Sequence, residues 1–151
     1  MASNIVTDLI QNYLSDLYGT YVVFEHGAID NKLKGACCTD HAHLHLIPYD
    51  RNLKNDVSSK LKFEEIEGIQ NVINANHIKT PYLYINSNNK HFIAYEKNIE
   101  SQYLRKVISI KEGGKKHWNW RSHHYRENMF STFNELELKL ENYKYEALQQ
   151  K

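Results

Sequence analysis

Proline is almost missing from this chain: Pro48 and Pro81 are the only two in 151 residues. Each therefore reads as the boundary of an element rather than as part of a proline-rich linker. Cysteine is just as sparse. Cys37 and Cys38 are adjacent, which argues against an ordinary structural disulfide between them and favours a reducing, cytoplasmic setting over a secreted one. No apolar run approaches the ~20 residues of a membrane-spanning helix. The N-terminal segment also lacks the basic start and apolar stretch of a signal peptide. Nor is there an excess of one charge: 19 Lys and Arg stand against 18 Asp and Glu. That leaves no broad field to draw in nucleic acid or an anionic membrane. The chain is long enough for one core and short for two, so a single soluble domain over residues 1–151 is expected.

Histidine and tyrosine are abundant, at 9 and 11 residues. Residues 4–18 place Ile5, Val6, Leu9, Ile10, Tyr13, Leu14 and Leu17 on one helical stripe, and Gly19 is a natural stop. "TYVVFEH", 20–26, is β-branched and aromatic and reads as a strand, followed by a loop from Gly27 to about Gly35. Alternation from His41 to Ile47 predicts a second strand that Pro48 ends. A polar stretch covers 50–62, and 63–76 is predicted helical. "YLYIN" and "HFIAYE", joined across "SNNK", form a hairpin over 81–96. A helix is expected over 101–110 and a loop over 115–126. The final helix, 127–149, carries Met129, Phe133, Leu136, Leu140, Tyr143 and Ala147 at steps of four and three. That stripe covers the sheet or pairs helices in a dimer. The fold class is α+β: about four antiparallel strands with flanking helices.

The segment "CCTDHAHLHLIPYD", 37–50, carries His41, His43 and His45 with Ala42 and Leu44 between them. On a strand the three imidazoles share one face, while Ala42, Leu44 and Leu46 take the other as an apolar anchor toward the core. Three readings fit such a row. It is a solvated polar face; or it is a metal site; or it is a nucleophilic centre in which one neutral imidazole attacks and its neighbours orient it. The outer two Cα atoms lie ~13 Å apart, a span that makes it hard for all three rings to hold one tetrahedral ion. A metal would take two of them, such as His41 and His43, with a distant ligand such as His26, His117 or Asp40.

"HAHLHLI" resembles the His-φ-His-φ-His-φ-φ signature of the histidine triad superfamily of nucleotidyl hydrolases and transferases. Pro48 after the motif fits the resemblance. So do the preceding strand "YVVFEHG" and a small residue, Cys38, three positions ahead of the triad. More distally "PYLYI", "SQYLRKVI" and "HWNWR" are similar to a bacterial branch, so the resemblance covers roughly residues 4–125. It implies a triad-type antiparallel sheet and attack by His43 on the α-phosphorus of a nucleotide ester, anhydride or phosphoramidate. A nucleotidyl-histidine intermediate forms, and water or phosphate resolves it. His41 and His45 would orient His43 and contact the non-bridging oxygens. No cofactor and no metal is implied.

Further site residues are expected around the triad strand. Gly27 and Gly35 flank a loop that the resemblance assigns to cradling phosphate; as bare sequence they are equally turn glycines. Glu25 and His26 fall where the family often has polar residues near ribose or phosphate, and core-edge positions explain them nearly as well. Cys38 offers a weak S–H donor, and with Thr39 supplies strand-end amides. Ser101, Gln102 and Arg105 are placed on one side of a helix start, which suits an anion or serves merely as a cap. Trp118 and Trp120 either stack on a base or anchor the final helix.

Members of the superfamily usually begin with a further half, bearing purine and ribose contacts, that has no counterpart ahead of the first helix here. The resemblance therefore also implies an exposed sheet edge, covered by a homodimer or a partner. A non-catalytic nucleotide-binding or interaction domain and a metal-dependent hydrolase are the alternatives to a nucleotidyl hydrolase or transferase.

Overall fold

A computed structural model describes residues 2–27, 43–57, 61–73, 80–114, 117–119 and 121–149. The chain divides into two compact units, residues 1–118 and 119–151. The first unit is α+β. Its α1 (Ala2–Tyr18) ends where expected: Gly19 takes φ +76° and its N–H donates to the Ser15 carbonyl at 2.8 Å. A side chain would resist that left-handed turn.

Five strands form one antiparallel sheet in the order β2-β1-β4-β5-β3, where β1 is Tyr21–Gly27, β2 His45–Pro48, β3 Glu64–Ile66, β4 Tyr82–Ser87 and β5 Lys90–Tyr95. β4 and β5 form the expected hairpin. Asn88 and Asn89 take φ +52° and +58° at its tip, the positive pair that a two-residue hairpin turn with matching twist requires.

On one face Val22, Phe24, Leu83 and Ile85 are buried beneath Leu53 and Val57, from α2 (Leu53–Asp56) and its C-cap, and Leu104 of α4 (Tyr103–Lys111). On the other, Tyr82, Tyr84 and Ile93 pack with Ile66 and with Ile69 of α3 (Ile69–Ile73). α1 packs against β1 and β2. Asp56 joins α2 to the end of α4. Its carboxylate accepts from the Tyr49 hydroxyl at 2.8 Å and pairs with Arg51 at 3.2 Å and Lys111 at 3.1 Å. Those partners, Arg51 foremost, hold it down at about 2.

Three expectations are corrected. Residues 63–76 are not one helix: Glu64–Ile66 is a strand, and among the described residues of that span helix covers Ile69–Ile73, residues 74–76 lying outside them. Phe63, Ile66 and Ile69 are spaced as a helix would have them, but the free edge of β5 offers Glu64–Ile66 a backbone ladder, and Gly68 weakens a continuous helix. Among the described residues the sheet consequently has five strands where about four were expected. Third, β2 is shorter than the alternation suggested, starting at His45.

The polar stretch after Pro48 also contains α2, whose N-cap Asn52 side chain accepts from the Asn55 N–H at 3.2 Å. Residues 117–119 and 121–125 form neither helix nor strand, in line with the predicted loop. The second unit is built on α5 (Arg126–Gln149), along which Met129, Phe130, Phe133 and Leu138 are exposed. Among the described residues no helix is long and apolar enough to cross a membrane.

Candidate functional site

Strand register decides which histidines meet. Val22 pairs with Ile47 and Phe24 with His45, so His45 stands on the same sheet face as Val22, Phe24 and Ile47. This reverses one expectation at His45, whose imidazole does not oppose the core face but continues it. Leu44, assigned to the anchoring face, is instead 37% exposed. The physical reason lies in β1, where Val22 and Phe24 alternate toward the α2 and α4 layer and carry whatever pairs with them onto the same side.

His45 stacks on Phe24, with ring centroids 4.7 Å apart and planes inclined by 18°. His43 meets His45 edge to face at 4.8 Å. Burial, then the charge of His43, then that of Arg105, push the His45 imidazole down to about 4. It is therefore neutral at physiological pH, with one ring nitrogen a donor and the other an acceptor. His26, the next inward-alternating residue of β1, is buried to 7% exposure. Burial and the charge of His43 lower it to about 4 as well, and among the described residues neither of its ring nitrogens has a hydrogen-bond partner.

Glu25 lies on the opposite side of β1, 4% exposed. Its carboxylate accepts from the Tyr82 hydroxyl and from the His43 backbone N–H. Burial raises its pKa, and those two hydrogen bonds and the charge of His43 oppose the rise. Its Oε1 has no hydrogen-bond partner among the described residues. Burial, followed by the Glu25 charge, drives the Tyr82 hydroxyl upward and takes Tyr84 to about 12. Tyr84 is tied at 2.6 Å to His91 Nδ1. At Gly27, a Cβ would overlap the Tyr82 ring carbons; the residue is glycine because an aromatic ring occupies the space.

Arg105 sits in the first turn of α4, close enough for its charge to act on His45. Ser101 and Gln102 precede that helix rather than lying on it. Gln102 is its N-cap in a left-handed conformation, φ +62°, and makes no side-chain capping bond. Trp118 is half-buried, with the Lys106 ammonium 5.3 Å from its ring centroid. His41, Cys38, Thr39, Gly35, Asp40 and Trp120 lie outside the described residues.

The structure thus brings together His43, His45, His26, Glu25 and Arg105 from β1, β2 and the segment leading into it, and α4. Sequence reasoning missed Tyr82 and Phe24. Phe24 carried a usable signal, since it alternates with His26 on a predicted strand. Tyr82 carried none, because its contact with Gly27 arises only from the β1–β4 register.

No protein-family model, no curated protein and no solved structure matches the chain.

Proposed function

We propose that the protein is a nucleotidyl hydrolase or transferase of the histidine triad type, acting at the α-phosphate of a nucleotide ester, anhydride or phosphoramidate. The observation that carries this reading is the pair of imidazoles His43 and His45, set edge to face at 4.8 Å with His45 held neutral. A ring nitrogen of His43 attacks the α-phosphorus. An N–P bond forms, the bond to the leaving group breaks, and that group departs with the electron pair. His45, stiffened by its stack on Phe24, donates an N–H toward the phosphoryl oxygens. The Arg105 guanidinium adds positive charge on the same side. Water or phosphate then attacks the nucleotidyl-histidine and releases His43. The motif resemblance assigns His41 to the same cluster.

The test is direct. Protein is incubated with an α-labelled nucleotide phosphoramidate and resolved under conditions that preserve phosphohistidine. Label is expected on the wild type and not on His43→Ala. Nucleotide binding without adduct or turnover would reject the reading and leave a binding domain.

A further inference from the structure

The β1–β2 ladder runs from the Tyr21↔Pro48 pair to the Phe24↔His45 pair. His43 lies beyond it, ahead of the first residue of β2. A segment leaving a ladder loses the backbone bonds that hold side chains in a set direction. At His43, however, the Glu25 carboxylate accepts the backbone N–H. The carboxylate is itself constrained. It is 4% exposed, accepts from the Tyr82 hydroxyl, and Tyr82 is seated against Gly27, where no larger residue fits.

Fold stability does not call for an acid here. Burying a carboxylate costs free energy, and an apolar side chain of similar size often serves a core as well or better. What Glu25 supplies and an apolar residue lacks is an acceptor aimed at the backbone of the next strand.

We propose that Glu25 is the positioning residue for His43: held by Tyr82 over Gly27, its buried carboxylate takes the His43 N–H where the ladder has ended and fixes the attitude of the imidazole. The role in catalysis rests on His43 being the attacking group; the hydrogen bond does not. Gly27, Tyr82 and Glu25 then act as one device, in which a glycine makes room for a ring, the ring's hydroxyl orients an acid, and the acid holds the nucleophile's backbone.

Amide hydrogen exchange and adduct formation test this together. In the wild type the His43 amide is expected to exchange at least about ten-fold more slowly than in a free chain, although it lies outside the ladder. Glu25→Met combined with Tyr82→Phe removes the acceptor without stranding a buried hydroxyl. It is expected to lose that protection by about ten-fold, while the Leu83 and Ile85 amides in the central strand stay protected. The maximal rate of adduct formation should fall by about ten-fold with the half-saturating nucleotide concentration unchanged. Glu25→Gln keeps an acceptor oxygen and is expected to restore both.

Free-chain exchange of the His43 amide in the wild type would overturn the proposal even if the variants failed to fold. Unchanged exchange in the double variant, or a Glu25→Gln protein that behaves like it, would do the same. Protection that depends on Glu25, in a wild type that forms no adduct, would uphold the positioning and refute the proposed activity alone.

Discussion

Phe24 and His45 stand opposite one another across the β1–β2 ladder with their rings stacked at 4.7 Å. A core aromatic therefore serves as the bed on which a candidate-site histidine rests. Phe24→Leu keeps an apolar side chain but removes the flat surface. A stability loss of about 1 kcal/mol is expected in urea titration; under the proposed activity, adduct formation should also slow by about ten-fold as His45 loses its set orientation.

The acid response of the fold follows from His26 and His45, both lowered from 6.5 to about 4. Above pH ~6.5 folded and unfolded chains alike are neutral at these rings, and the full stability is present. Between ~6.5 and about 4 the unfolded chain takes up protons that the folded one refuses, so stability falls as pH falls. With both rings the slope approaches two protons, about 2.7 kcal/mol per pH unit. His45→Phe should bring it toward one proton, read from denaturation midpoints across that window. Asp56 acts lower. Its folded value is depressed to about 2, so its contribution persists above ~4 and disappears as pH drops through 2.

At Gly27 the expected effect is steric. Gly27→Ala places a methyl group in the Tyr82 ring and should cost about 1–3 kcal/mol. In a Tyr82→Ala background the same substitution should cost much less. A double-mutant cycle measured by thermal unfolding gives the coupling directly.

The hairpin tip offers a gain. Asn88 and Asn89 both carry positive φ, and Asn-Gly is the preferred pair for such a turn. Asn89→Gly is expected to raise stability by about 0.5 kcal/mol, whereas Asn89→Val should lower it by about 1–2 kcal/mol. Chemical denaturation separates the two.

Much of the fold was legible. The stripe of 4–18 with Gly19 behind it, the β-branched run after Thr20 and the paired strands around "SNNK" are local signals, in which side-chain periodicity and turn chemistry agree within one segment. Residues 63–76 failed for the opposite reason. Their apolar spacing suited a helix, but the ladder that makes Glu64–Ile66 a strand belongs to β5, which follows nearly thirty residues later. The site divided in the same way. His43 and His45 stood out as candidates from alternation, whereas Glu25 and His26 were singled out only through the family resemblance.

The amino-acid order by itself determined that imidazoles two residues apart would share a side of an extended segment, because the pleat alternates whatever surrounds it. Which side that was, and what it rested on, came only from the register of β1 against β2 and β4. That register put Phe24 beneath His45, and it put Tyr82 over Gly27 with its hydroxyl reaching Glu25. Contacts between residues far apart in the chain depend on how whole strands align. No local pattern encodes that alignment.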